Sequence, residues 1–157
     1  MKDTIVLLEQ PEQVLYGLHS PSQDKTQSRD IPALSGQFYD RIGGRPETRL
    51  PFYVVSRDYA PETGRFTLFI GDDGSNRGLE REVLPAGTYA RLEVRPKLGF
   101  LWGAAIGQAK RWFYTRWLPE SGYEAVNLEY ELHTQKAAGS HPSIDLLFAI
   151  RRKAETP

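Results

Sequence analysis

Cysteine is absent from this chain of 157 residues, which excludes disulfides, thiolate catalysis and any metal site built on cysteine. Charge of one sign is not in excess either, because 20 Lys and Arg residues balance 20 Asp and Glu residues. Proteins that bind nucleic acid through its phosphates carry surplus positive charge, so we expect no direct contact with nucleic acid. No apolar run approaches the roughly 18 residues that span a bilayer, and no signal-peptide core is present. We therefore expect a cytoplasmic protein that does not enter the membrane.

Motifs for several common chemistries are missing as well. No G-x-S-x-G occurs, and no histidine has an evident serine partner for nucleophilic catalysis. The one spacing that resembles a metal-ligand set is His133, His141 and Asp145, which spans a predicted loop where histidines are usually solvated. We therefore expect neither a metal nor another cofactor.

Apolar periodicity and turn residues predict the order strand, helix, strand, strand, and then the same order again. The first helix is expected over 31–42, with Asp30 as its N-cap and the pair Gly43–Gly44 at its end. The second helix is expected over 98–118. The strands are expected at 3–9, 13–19, 51–59, 65–71, 79–94 with a break near Pro85, 126–133 and 143–150.

Two short matches between the halves indicate a duplicated module. Tyr16 matches Tyr89 at a separation of 73 residues, and residues 38–41 match residues 113–116 at a separation of 75. A duplication with this order of elements predicts an α+β fold in which each half of an antiparallel sheet is covered by one helix.

The duplication also sets the expected domain boundaries. We predict a single domain over residues 1–157, with repeat one at about 4–72 and repeat two at about 82–152. Residues 153–157 are expected to form a frayed tail.

The predicted second helix carries an apolar stripe at spacings of three to four residues. Aromatic residues on such a stripe are more often core than ligand contacts, because a long helix on a thin sheet needs large side chains. The stripe contains Trp102, Ile106, Ala109, Phe113 and Trp117.

The strand VNLEYELH, residues 126–133, alternates apolar with polar side chains. Leu128, Tyr130 and Leu132 point one way and are expected to lie beneath the helix. Glu129 points the other way, toward either bulk water or a cleft. The neighbouring strands carry apolar residues on both faces, which favours a cleft where the two halves meet. A partly desolvated acid in such a cleft favours a cationic ligand with apolar or aromatic bulk.

Two motifs stand out, P-x-G-x-Y-A at 85–90 and W-L-P-x-S-G-Y-E at 117–124, together with LEYEL at 128–132. With the N-terminal EQVLYGLHS and the helix IPALSGQFYDRI, they resemble the GyrI-like family, which includes the AraC-type effector-binding domains of bacterial transcription activators. The resemblance covers about residues 4–152. It implies two strand-helix-strand-strand modules related by a pseudo-two-fold axis, with a ligand groove between the repeats. It also implies multidrug binding, that is, binding of hydrophobic and often cationic or aromatic compounds.

The resemblance further implies the site residues. The family's central acid is a glutamate in the penultimate strand, where this chain has Glu129. Trp102 falls at a helix position that often faces the groove. With residues of the neighbouring strands, the expected ligand-binding set is Glu129, Trp102, Tyr53, Tyr89, Phe69 and Leu147.

The leading hypothesis is a stand-alone small-molecule-binding protein for drug or effector sensing, with Glu129 as the electrostatic anchor of the groove. We expect it to lack the DNA-binding region of many relatives, because the effector-like module begins near residue 4. Some stand-alone relatives are hydrolases that open cyclopropane rings of DNA-alkylating compounds, so a catalytic role for Glu129 stays open. Another relative contacts DNA gyrase, which leaves gyrase or a transcription regulator as a candidate protein partner.

Overall fold

The computed structural model describes residues 4–44, 51–97 and 101–154. These residues form one eight-stranded antiparallel sheet with helices packed on one of its faces. The strands are β1 (Val6–Gln10), β2 (Gln13–Gln23), β3 (Phe52–Ala60), β4 (Arg65–Asp72), β5 (Glu80–Leu84), β6 (Gly87–Val94), β7 (Tyr123–His133) and β8 (Ile144–Arg152). The helices are α1 (Gln27–Ile42), α2 (Trp102–Trp112), a π-helical turn that continues α2 (Phe113–Trp117), α3 (Leu118–Glu120) and a 3₁₀ turn (Gln135–Ala138). Within the described residues, no helix combines the length and the apolar character needed to cross a bilayer.

The order of strands in the sheet, β1-β6-β8-β7-β3-β4-β2-β5, is symmetric about the central pair of β7 and β3. The strands β2, β4 and β3 of the first half correspond to β6, β8 and β7 of the second. The leading strand of each repeat crosses to the other half, because β1 pairs with β6 and β5 pairs with β2. This arrangement confirms the predicted α+β fold of two duplicated modules, each covered by one helix.

Buried apolar side chains form three clusters, and they cover both faces of the sheet. One cluster lies between α1 and the first half around Phe38, and a second lies between α2 and the second half around Phe113. The third, here called the central cluster, lies on the opposite face of the curled sheet and contains Val55, Tyr130 and Leu147. Each half of the sheet therefore carries a helix on one face, and the central cluster covers the opposite face.

The predicted apolar stripe of α2 packs on the sheet. Ala109 and Phe113 are buried, and the ring of Phe113 stacks on Phe148 with 3.8 Å between the ring centroids. The stripe residues that pack around them while remaining partly exposed are Trp102, Ile106 and Trp117. The core role of the stripe is confirmed, and the predicted first residues of this helix, 98–100, lie outside the described residues.

The start of α1 differs from the prediction. The helix begins at Gln27, so Asp30 lies in the first turn instead of capping it. The carboxylate of Asp30 accepts hydrogen bonds from the hydroxyls of Thr26 at 2.6 Å and Ser22 at 2.9 Å, and these two bonds lower its pKa. The predicted end of the helix is confirmed, because Gly43 takes the left-handed conformation, with φ of 66°.

The predicted orientation of β7 is wrong. Leu128 and Tyr130 lie in the central cluster, opposite the helices, whereas Glu129 contacts Lys110 and Tyr114 of the second helical segment. The alternation along the strand is as predicted. Because both faces of the sheet are covered here, the apolar set of side chains does not mark the face beneath a helix.

The proposed equivalence of Tyr16 and Tyr89 is also wrong. Tyr16 packs on the cluster beneath α1, whereas Tyr89 lies in the central cluster, so their side chains occupy opposite faces. The leading strands β1 and β5 begin at residues 6 and 80, which are 74 positions apart. With that separation, Leu15 of the first repeat aligns with Tyr89 of the second, and both residues belong to the central cluster.

Candidate ligand-binding site

A cavity of about 550 Å³ opens on the helix side of the sheet, where β3 pairs with β7. Each half of the chain supplies six of its lining residues, so the cavity straddles the seam between the repeats. The first half contributes Asp24, Gln27, Ser56, Tyr59, Pro61 and Phe66, and the second contributes Lys110, Tyr114, Ala125, Asn127, Leu128 and Glu129.

Glu129 lines the cavity, directly across the strand pair from Ser56. Its Oε1 accepts a hydrogen bond from the hydroxyl of Tyr114 at 3.2 Å, and its Oε2 lies 3.0 Å from the Nζ of Lys110. The side chains of Lys110 and Glu129 are 25% and 20% exposed, so the ion pair is partly shielded from water. The acid that the sequence singled out is therefore already paired within the chain.

Burial and the acids of β7 set the protonation of the groups around Glu129. Burial lowers the pKa of Lys110, but the charges of Glu129 and Glu131 outweigh burial and hold that pKa above its ordinary value. Burial, followed by the charge of Glu129, raises the pKa of the Tyr114 hydroxyl. At neutral pH Lys110 is a cation and Tyr114 is a neutral hydrogen-bond donor.

The helical segment after β6 brings Lys110 and Tyr114 to the cavity together, because residues four positions apart share one helix face. The segment changes from α to π geometry at Phe113. Phe113 stacks on Phe148, and the ring of Tyr114 meets Phe148 edge-on, with 5.5 Å between their centroids. These contacts hold the wider turn and direct the Tyr114 hydroxyl at Glu129. Such π-helical turns recur at functional sites.

The other wall of the cavity is formed by Asp24, Tyr59 and Phe66. The hydroxyl of Tyr59 donates to Oδ2 of Asp24 at 2.6 Å, and the rings of Tyr59 and Phe66 lie 6.4 Å apart. The side-chain amide of Asn127 accepts from the backbone N–H of Tyr59 at 2.8 Å and donates to its carbonyl at 3.0 Å. Within the described ranges, no basic side chain forms an ion pair with Asp24.

The charges of the lining make the cavity negative. Among the described residues, the lining holds two carboxylates, those of Asp24 and Glu129, and one ammonium, that of Lys110, which leaves a formal charge of −1. The rings of Tyr59 and Tyr114 add π faces that attract cations. The cavity therefore suits an organic cation with apolar bulk better than an anion.

Of the six residues predicted to bind ligand, Glu129 lines this cavity. Trp102 instead packs, partly buried, in the cluster beneath α2. The other four lie in the central cluster on the opposite face, and they are Tyr53, Tyr89, Phe69 and Leu147. Their strands are apolar on both faces, so the sequence pattern could not assign a side.

The four central-cluster residues are core groups in this fold. The hydroxyl of Tyr89 donates to the carbonyl of Pro85 at 2.7 Å. Burial raises the pKa of Tyr53 and of Tyr89 to about 12, so both phenols stay neutral. The rings of Tyr53 and Tyr89 each lie 5.8 Å from the ring of Tyr130, which links them in one aromatic group.

Sequence reasoning missed several lining residues with polar groups, among them Lys110, Tyr114, Asp24 and Tyr59. Lys110 and Tyr114 carried a usable signal, since they stand four residues apart on the helix beside the apolar stripe. Asp24 lies between a predicted strand and a predicted helix, and Tyr59 lies within an irregularity of β3, between Arg57 and Ala60. Asp24 belongs to no periodic pattern, and the alternation of the predicted strand 51–59 does not reveal the irregularity at Tyr59.

A second and more open hollow of about 450 Å³ lies between α1 and the strands β2 and β5. Its lining includes the side chains of His19, Arg41 and Glu80. The Nδ1 of His19 lies 3.0 Å from Glu80, so these groups already pair with each other.

Solved structures with the same fold share little sequence with the chain. An integron cassette protein from the mobile metagenome of Vibrio cholerae is 13% identical, over 94% of this chain and 95% of that chain, with a TM-score of 0.63. The structure of SAV2435 bound to tetraphenylphosphonium is 11% identical, over 96% and 94% of the two chains, with a TM-score of 0.65. The C-terminal domain of EcmrR is 16% identical, over 98% and 100%, with a TM-score of 0.58.

Sequence comparison gives a more specific result. No curated protein matches the chain. The sequence model of the family described as Cass2, integron-associated effector binding protein, matches residues 4–150, which is nearly the whole chain. Together with the shared fold, this match confirms the GyrI-like resemblance. The chain belongs to the Cass2 family of integron-associated effector-binding proteins.

Proposed function

We propose that this protein binds lipophilic organic cations in the cavity at the seam between its two halves. The observation that carries the proposal is the lining, in which two carboxylates face one ammonium beside aromatic rings. A cation placed there gains attraction from the net charge and from the π faces of Tyr59 and Tyr114. An anion would meet Asp24, which has no ammonium partner of its own in the described part of the chain.

A similar fold supports this ligand class. SAV2435, which shares the architecture, is known in complex with tetraphenylphosphonium, a monocation with four apolar rings. The cavity volume of about 550 Å³ lies within the range typical of small-molecule sites. Tetraphenylphosphonium is therefore a suitable probe for this chain.

The proposal is tested by titrating the protein with tetraphenylphosphonium in a calorimeter, with Glu129→Gln as the informative variant. The substitution removes one of the two lining carboxylates and changes the formal charge of the described lining from −1 to 0, so we expect affinity to fall at least about tenfold, or ~1.4 kcal/mol. Glu124→Gln is the matched control, because Glu124 lies on the same strand, outside the cavity, and pairs with Arg151. Equal affinities for the two variants would contradict the anchor role of Glu129.

We also propose that recognition is multidrug in character and serves drug or effector sensing linked to transcription regulation. Charge and aromatic faces recognise cations without a fixed hydrogen-bond pattern, which tolerates varied ligand shapes. A rhodamine-type dye should therefore compete with tetraphenylphosphonium for one site. Independent binding of the two compounds, each without effect on the other, would count against a shared multidrug site.

Hydrolysis of cyclopropane rings is a weaker candidate. A hydrolytic Glu129 would have to accept a proton from water, whereas both of its oxygens already engage Tyr114 and Lys110. We therefore expect no ring-opened product when the protein is incubated with a cyclopropane-bearing alkylator and analysed by mass spectrometry. Product formation that Glu129→Gln abolishes would reverse this ranking.

A further inference from the structure

Lys110 occupies the position beside Glu129 that a cationic ligand would take. Its Nζ lies 3.0 Å from Oε2 of Glu129, and both residues line the cavity. We propose that Lys110 is a built-in competitor that organic cations must displace from Glu129 in order to bind. The inference rests on the proposed function and adds a residue that sets which cations bind and how tightly.

The ion pair is of a kind that a ligand can open. Its two side chains are 25% and 20% exposed, so part of each side chain is open to the cavity. Holding two long side chains in one geometry costs them conformational freedom, which offsets part of the attraction between their charges. Lysine also holds its charge on a flexible stem with several rotamers, so the ammonium can move while the helix stays in place.

A second acid is present to receive the displaced ammonium. Glu131 follows Glu129 on the same face of β7, since alternate residues of a strand share a face. The charge of Glu131 already acts on Lys110 and adds to the rise of its pKa. A displaced Lys110 ammonium therefore stays under the attraction of a second carboxylate while the ligand takes Glu129.

This exchange makes Lys110 a specificity-determining residue. A small hydrated cation gains nothing at Glu129 that the ammonium does not already supply. A bulky lipophilic cation also buries apolar surface against Tyr59, Phe66 and Tyr114, which the hydrophobic effect favours. The resident ammonium thus discriminates in favour of cations with large apolar surfaces.

The test uses Lys110→Gln, which removes the charge without adding apolar surface. Tetraphenylphosphonium should bind this variant about tenfold more tightly than wild type, because the lining charge changes from −1 to −2 and Glu129 is free. Arg111→Gln is the matched control, since it removes the same charge from the adjacent residue, which does not line the cavity. Its affinity should stay within about twofold of wild type. Thermal unfolding of each variant checks that the fold is intact.

A second pair of variants tests the route of displacement. Glu131→Gln removes the acid that receives the ammonium, so it should weaken tetraphenylphosphonium binding when Lys110 is present. In the Lys110→Gln background the same substitution should lose most of its effect, because there is no ammonium to relocate.

The outcomes separate this inference from the proposed function. Glu129-dependent binding by wild type, with Lys110→Gln no tighter than Arg111→Gln, overturns the competitor role and leaves the proposed function standing. Absence of binding by wild type and by Lys110→Gln overturns both. Tight, Glu129-dependent binding that appears with Lys110→Gln supports both.

Discussion

Glu131 is a buried acid two positions after Glu129 on β7. Its contacts predict how its contribution to the free energy of unfolding depends on pH. Its side chain is 12% exposed, and Oε1 lies 3.1 Å from Nε2 of His133. Burial alone would raise the pKa of Glu131, but the hydrogen bond with His133 and the charge of Lys110 outweigh it and lower the pKa. The ionised carboxylate is thus favoured more in the folded than in the unfolded chain.

Glu131→Gln should lower the free energy of unfolding by about 1.5 kcal/mol at pH 7, because a hydrogen bond to a charged group is lost. A depressed pKa in the folded state contributes stability above the unfolded value, near 4.5, and that stability is lost as the pH falls through the folded value. The difference between variant and wild type should therefore shrink below about pH 4.5. Urea unfolding of both proteins at pH 7 and at pH 3 measures this difference in stability. An equal difference at both pH values would contradict a lowered pKa of Glu131 in the folded state.

Residue roles were only partly predictable from the sequence. The family resemblance separated Glu129 from Glu131, although both lie on one strand face and composition treats them alike. It did not indicate that Lys110 would neutralise Glu129, because the contact depends on how α2 is placed over β7. A helical wheel gives the face of Lys110 but not the strand beneath it.

The strands β3 and β7 each contain an irregularity beside the cavity, where the register of their pairing shifts. Asp58 and Asn127 both take left-handed backbone conformations, with φ of 59° and 54°. Past this point the Asn127 amide substitutes for a strand partner by bonding the N–H and the carbonyl of Tyr59. The end of regular pairing thereby directs Tyr59 toward Asp24 and opens the space between the halves.

Substitution of Asn127 tests this account. Asn127→Gly and Asn127→Ala both lose the two hydrogen bonds to Tyr59, so each should destabilise the fold by about 1–2 kcal/mol. Alanine should cost about 1 kcal/mol more than glycine, because a positive φ disfavours a side chain with Cβ. Urea denaturation compares the two variants. An alanine variant at least as stable as the glycine variant would show that the left-handed backbone is not required.

Elements with a single apolar face were predictable, and elements with two covered faces were not. The stripe from Trp102 to Trp117 faces the sheet as expected, because one side of α2 meets water. The helical segment lies over one face of β7, and the central cluster covers the other face. Alternation then separates Tyr130 from Glu129 but leaves open which of them lies under the helix.

The two halves of the molecule exchange their first strands, β1 and β5, and this exchange links the halves structurally. Because β1 completes the second half and β5 completes the first, neither repeat has its full set of strands without the other. The central cluster also draws residues from both repeats, for example Leu15, Val55, Tyr89 and Tyr130. We therefore expect the halves to unfold together.

Tryptophan fluorescence gives a local probe for this expectation. All three tryptophans, Trp102, Trp112 and Trp117, lie in the second half, whereas far-ultraviolet circular dichroism reports on both halves. The two signals should follow one urea transition with the same midpoint. If the dichroism curve had two steps and the fluorescence curve followed only one of them, the repeats would unfold independently.

The duplicated architecture was predictable because matching elements recur in matching order. Phe38 and Phe113, paired in the sequence comparison, are both fully buried on the helix faces that meet the sheet. The strand exchange was not predictable, since β1 and β5 carry no signal of which neighbour they pair with. Pairing partners are set by the closure of the whole sheet rather than by the local pattern.

The central claim, that one seam cavity built by both repeats holds a cation, is tested most directly by a crystal structure with tetraphenylphosphonium. The account predicts the phosphonium between α1 and α2, in contact with Glu129 and with residues of both halves such as Tyr59 and Tyr114. It also predicts that the Lys110 ammonium has left Oε2 of Glu129. A ligand in the hollow beside His19 and Glu80, or in the central cluster, with the Lys110–Glu129 pair intact, would contradict the account.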